Sequence, residues 1–149
     1  MAIVEEVNSG IKEAMKAKDK VRLGALRGVK KELIEAKAAK GVDAEITDDE
    51  AIKIITKMVK QRKDSISIYN EQGRADLAET EVAEVEVLSV FLPEQLTGEK
   101  LEEAVKAVIE KVGASSMKEM GKVMGVASKE LAGKADGKEI SELVKKLLA

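Results

Sequence analysis

The side chains that most often carry covalent chemistry are missing from this sequence. It contains no histidine and no cysteine. That removes the commonest general base, the thiolate nucleophile and the usual ligands of a zinc site. Hydroxyls, carboxylates and lysines remain. Ser115-Ser116 offers two hydroxyls, but no imidazole exists to activate either one. Ser116 also stands three residues before Glu119, which is the spacing of a helix capping box. No GxxxxGK[ST] loop is present to cradle a nucleotide. The residues therefore point to no catalytic group, no cofactor and no metal site, and to binding as the remaining chemistry.

The binding candidates gather between Met120 and Asp136. Gly121 and Gly125 sit four apart in a run that otherwise reads as helix, where each costs about 1 kcal/mol against alanine. Close packing of this helix on a neighbour is the expected compensation, with Gly133 taking a positive φ and Asp136 capping the next helix. Gly133-Lys134-Ala135-Asp136-Gly137-Lys138 admits a second reading. Backbone N–H groups at a helix start form an anion site, and Lys134 and Lys138 would add charge toward a phosphate. The Asp136 carboxylate competes for the same positive end. Lys122, Lys129, Lys145 and Lys146 are further candidates for phosphate contacts, each equally readable as a solvent-facing lysine.

A second constellation lies upstream. Arg62 falls on the apolar stripe of its helix, and the following helix carries Glu81 and Glu84 on a partly apolar face. Arg62 is eleven residues before Gly73 and Glu84 eleven after it, so an antiparallel hairpin about Gly73 would bring them together. Helix rotation leaves Glu81 as the other partner. The pairing reads as a structural ion pair, with a catalytic glutamate as the alternative.

These residues must be positioned by helices. The chain of 149 residues has one proline, one phenylalanine, one tyrosine and no tryptophan, with 36% charged residues. Helix formers dominate, and the profile is that of an all-α protein. Apolar residues at three- and four-residue steps predict helices over about 2–17, 19–39, 48–72, 75–90, 98–112, 117–131 and 137–148. Asp19, Thr47-x-x-Glu50, Thr97, Ser116-x-x-Glu119 and Asp136 are the starts, and Gly41, Gly73 and Gly113 the stops. In the second helix the core position is Val29 or Lys30, beside Leu26, Leu33 and Ile34. Pro93 marks a boundary, which predicts a four-helix domain over 1–96 and a small three-helix domain over 97–149.

Charge is unevenly spread. From Lys12 to Lys40 there are ten Lys/Arg against four Asp/Glu, and from Glu71 to Glu94 one Arg against seven acids. The two blocks either neutralise each other or leave a basic face for an anionic partner such as RNA. The start, MAIVEEVNSG, is acidic and amphipathic rather than leader-like, and no apolar run has the length of a membrane span. A cytoplasmic protein with no membrane contact is expected.

Taken together, AMKAKDK, LGALRGVK, VKQRKDSI, GRADLAETEVAEVEVL, FLPEQLT, GASSMKEMGKVMG and GKADGKEISELVKKLL resemble the YqeY family over nearly the whole chain. Phe91 stands where that family often has tyrosine. The C-terminal part is similar to the tail domain of the B subunit of tRNA-dependent amidotransferases. The resemblance implies a helical bundle followed by a three-helix tail that holds tRNA, and a partner in tRNA or in the translation and aminoacylation machinery. It also implies a family-level label of carbon–nitrogen ligase with glutamine as amido-N-donor, which this chain could serve only within a complex. A protein–protein interaction module without nucleic-acid binding is the alternative function.

Overall fold

The computed structural model describes residues 2–149. It contains seven α-helices: α1 Ala2–Ala17, α2 Lys20–Lys40, α3 Asp48–Glu71, α4 Ala75–Ser89, α5 Gly98–Val112, α6 Met120–Glu130 and α7 Gly137–Leu148. One 3-10 turn, Met117–Glu119, precedes α6, and no strand occurs among the described residues. The protein is all-α. It divides into two compact units, the first ending at Leu92 and the second running Pro93–Ala149.

In the first unit, α1 packs on α2, α3 packs on α4, and α2 touches both members of the second pair. The core is aliphatic, as the near-absence of aromatics requires. Val7 from α1, Val29 and Leu33 from α2, Ile55 from α3 and Leu88 from α4 meet in one buried cluster. Val29 is buried and Lys30 exposed, which settles that pair of alternatives. Ile34 is 57% exposed rather than buried, because it lies beyond the stripe that faces α3 and α4. The capping residues read from the sequence are in place on α2 and α3. The Asp19 carboxylate accepts from Arg22 N–H. Thr47 accepts from Glu50 N–H while the Glu50 carboxylate accepts from Thr47 N–H. One long-range cap has no sequence signal: the Ile3 N–H in the first turn of α1 donates to Asp48 Oδ1 at 3.2 Å. That bond ties the start of α1 to the start of α3 and satisfies a helix-end donor that has no intrahelical partner.

The second unit is built on Leu101, Val105 and Val108 of α5, Val123 and Ala127 of α6 with Leu131 after it, and Ile140, Val144 and Leu148 of α7. Each set repeats at three or four residues, so three short stripes close on one another. Gly113 ends α5 in the left-handed region at φ 75°. The segment before α5 belongs to this unit. Leu96 N–H donates to Lys134 O at 2.8 Å, and Gln95 Nε2 donates to Gly133 O at 2.6 Å. The compact units therefore meet at Leu92–Pro93, whereas the sequence reading drew its boundary at 96. Thr97 precedes α5 without a side-chain cap bond.

Candidate nucleic-acid interface

The glycines of α6 are the first surprise of the site. A Cβ at Gly121 or at Gly125 would meet nothing within 4 Å. Close packing within the chain, expected from the sequence, is therefore not what calls for glycine there. The helix geometry gives the reason. Gly125 lies two residues from both Val123 and Ala127, which are fully buried, and two residues is about 200° around a helix. The glycines stand on the side opposite the core.

That outer side is a shallow groove of about 320 Å³ lined by Gly121, Lys122, Gly125, Val126, Lys129 and Glu130. Lys122 and Lys129 are exposed and seven residues apart on one face, about 10 Å along the axis. Among the described residues neither forms a salt bridge, although Lys122 is near enough to Glu119 to help lower its carboxyl, whereas Glu130 at the groove's end is held by Lys111. Two of the six candidate lysines thus share this groove.

The other four sit on α7 and the turn before it. Gly133 has φ 74°, as expected of the turn. Asp136 caps α7, its carboxylate accepting from Lys138 N–H at 3.4 Å. The positive end of α7 is therefore supplied with a carboxylate from within the chain, and an anion would have to compete with it. Lys134 is half-buried and its carbonyl accepts from Leu96, while Lys138 projects into solvent. Lys145 and Lys146 occupy the last turn of α7, about 10 Å along the helix from Lys138.

Ser115 and Ser116 have a structural role. Their N–H groups donate to Glu119 Oε2 at 2.6 Å and 3.3 Å. These two bonds, with Ser115 the larger contributor, hold the Glu119 carboxyl below the ordinary glutamate range. The start that the sequence assigned to α6 is a 3-10 turn closed by this cap, and the α-helix proper begins at Met120. Glu50 is depressed in the same sense by its hydrogen bond with Lys40, and Asp76 by Arg74. A carboxylate whose folded value is lowered stabilises the fold above its unfolded value, and that contribution is lost as pH falls through the folded one. Helicity is accordingly expected to hold near neutrality and to decline only below the ordinary glutamate value of 4.5. Circular dichroism against pH would show this. Glu119→Gln should flatten the part of the acid transition that belongs to the C-terminal unit, and an unchanged profile would deny the Glu119 cap any role.

In the first unit, Arg62 Nε donates to Glu84 Oε2 at 2.8 Å, and Arg62 Nη1 donates to Met58 O at 3.3 Å. Glu84 rather than Glu81 is the partner. Both side chains are mostly buried, at 20% and 24% exposure. Among the described residues no His/Cys/Asp/Glu group is arranged to hold a metal ion, and no helix is long and apolar enough to cross a membrane.

With this geometry in place, comparison with known proteins decides the family. The family profile described as "Yqey-like protein" matches residues 4–148. The chain belongs to the YqeY family. Among its curated relatives is "Altered inheritance of mitochondria protein 41, mitochondrial" of Pyrenophora tritici-repentis, 29% identical over 98% of this chain and 81% of that protein. The protein of the same name from Lachancea thermotolerans is 34% identical over 60% of this chain and 47% of its own length. A third relative is the E subunit of the glutamyl-tRNA(Gln) amidotransferase of Thermococcus gammatolerans, 32% identical over 95% of this chain. The alignment covers only 22% of that protein. The chain thus spans about half of one relative and under a quarter of another. These relatives also correct the cytoplasmic localisation expected from the sequence, since the family members from both fungi are named as mitochondrial. That expectation rested on the character of the first ten residues, which does not name a compartment.

Proposed function

We propose that this YqeY-family chain is a non-catalytic accessory protein that holds tRNA through the outer side of its C-terminal unit. The observation that carries the reading is the glycine-floored groove of α6 with Lys122 and Lys129 along it. Missing side chains let a phosphate backbone come close to the helix, and the two ammonium groups neutralise it there. Lys134, Lys138, Lys145 and Lys146 extend the positive charge over α7. The relative whose name includes glutamyl-tRNA(Gln) supports tRNA as the nucleic acid. The unit as a whole is not strongly basic, with ten Lys/Arg against nine Asp/Glu from Thr97 onward, and it has no aromatic residue to stack on bases. Contacts are therefore to shape and backbone. The partner is tRNA itself or tRNA held within a translation or aminoacylation assembly. A glutamine-dependent carbon–nitrogen ligase activity belongs at most to such a complex, because this chain supplies neither the nucleophile–base pair nor the nucleotide loop the reaction needs.

A tRNA titration at two salt concentrations tests the proposal. Lys122→Gln/Lys129→Gln is expected to weaken binding about tenfold at low salt and to reduce the salt slope by about 2. Gly125→Ala makes a sharper arm. Its Cβ points into open space, so it should raise helix stability by about 1 kcal/mol while still weakening tRNA binding. Absence of tRNA binding at low salt would sink the proposal and leave the protein–protein interaction module as the reading of the same groove.

A further inference from the structure

We infer that the α1–α2 hairpin of the first unit carries a separate cationic surface that takes the phosphate backbone of RNA without regard to base sequence. Lys12 and Lys16 lie on the side of α1 away from its buried stripe of Ile3, Val7, Gly10 and Ala14. Lys18 is in the turn and Lys20 begins α2, and all four are exposed. The charge continues along α2 through Arg27, Lys30, Lys31 and Lys37, also exposed. Of these eight cations only Lys31 has an acidic partner among the described residues, Glu35 at 3.9 Å. From Lys20 to Lys37 the row extends about 25 Å at 1.5 Å per residue, long enough to follow several phosphates.

Acids do approach the far end of the row, where Glu5 and Glu45 line one pocket with Lys30 and Lys37, but the two nearest the turn are engaged within the hairpin. Glu13 is taken by Arg22, and Asp19 caps α2. The acidic stretch from Glu71 to Glu94 directs Asp76 to Arg74 and Glu84 to Arg62. Among the described residues no ion pair joins that stretch to the one from Lys12 to Lys40. Mutual neutralisation of the two blocks is therefore not achieved through direct pairs.

Lys18 adds an independent sign. It is the one described non-glycine residue with positive φ, at 56°, the left-handed position after a helix where glycine is ordinarily found. A lysine there is strained by its Cβ, and it places an exposed ammonium at the turn between Lys16 and Lys20. RNA fits this surface better than a bilayer does. The exposed apolar side chains of the hairpin are Met15, Val21 and Ile34. Val21 and Ile34 are thirteen residues apart, about 140° around α2, and Met15 is on the other helix, so they do not form one insertion face.

The full-length chain can be tested with bulk tRNA and with an unstructured oligonucleotide at two salt concentrations. Replacing Lys12, Lys16, Lys18 and Lys20 together by glutamine is expected to weaken both about tenfold or more and to lower the salt slope by about 3. The matching arginine set should bind like the parent. Lys18→Gly guards against a folding artefact: it relieves the strained turn and should melt higher, yet bind RNA about twofold more weakly. Parental affinity and slope in the glutamine variant would overturn the inference. So would a loss seen only on vesicles containing phosphatidylglycerol, with RNA binding intact. This surface does not depend on the α6 groove. If the α6 lysine variants bind normally while the hairpin variant fails, the proposed function falls and this inference stands, and the reverse result does the opposite.

Discussion

Truncating Leu88 to alanine is expected to destabilise the first unit by about 3 kcal/mol, near the middle of the range for removing a buried leucine. Leu88 is 0% exposed and shares its cluster with Val29 of α2 and Ile55 of α3. The other buried residue of α4 is the small Ala78. Deleting the branched end of Leu88 would leave a void lined by side chains held from two other helices, which cannot all move inward. The other large apolar residues of α4 anchor it less deeply, since Val85 and Val87 are only partly buried against the cluster and Leu77 and Val82 are exposed. A domain of this size is typically stable by about 5–15 kcal/mol, so the change is a large fraction of the whole. Chemical denaturation would read it as a lower midpoint at unchanged slope. Leu88→Met keeps the volume and should cost less than about 1.5 kcal/mol. A cost under about 1 kcal/mol for the alanine variant, well below the range for a buried leucine, would mean that α4 is not anchored where the structure places it.

Much of this architecture was legible because local signals and the tertiary fold agree. Thr47 and Glu50 form their reciprocal cap, Gly73 and Gly113 turn the chain, and the stripes of α5 and α7 supply six of the buried residues of the second unit. The Arg62 partner could be narrowed to Glu81 or Glu84 from hairpin symmetry alone. What could not be read was rotation and reach. Hairpin symmetry fixes the level at which two helices meet but not their angle about their axes, and so left both glutamates open. The Asp48 bond to the Ile3 N–H joins residues 45 apart in the chain, and nothing local announces it. The α6 glycines were misread for a different reason. A glycine inside a helix signals that something approaches the backbone, and the nearest candidate from sequence is a neighbouring helix. The offset of Gly125 from both Val123 and Ala127, about 200° around the helix, was available in the sequence and argued for the solvent side. The hairpin surface was visible only as an excess of charge, because ion pairing and the φ of Lys18 are properties of the folded chain.

The Arg62–Glu84 pair carries the second large expected effect, and it separates a structural from a functional role. Arg62→Met should cost about 2 kcal/mol. Removing one partner of a fully buried pair costs roughly 3–5 kcal/mol, and the partial exposure of both side chains lets water relieve part of that. Glu84→Leu should cost somewhat less, because the guanidinium keeps its bond to Met58 O and its long stem can lead the charge to solvent. The double variant, Arg62→Met/Glu84→Leu, removes both charges and fills the space with apolar groups. It is expected to lie within about 1 kcal/mol of the parent, giving a coupling energy of about 2 kcal/mol in the cycle. Simple additivity of the two single costs would show that the pair is not a unit. The same variants address the catalytic alternative for Glu84. A structural pair predicts that the double variant binds tRNA like the parent, since neither surface described above includes these residues. If the double variant stays folded and as stable as the parent but loses the chain's activity in cells, Glu84 is more than a strut between α3 and α4.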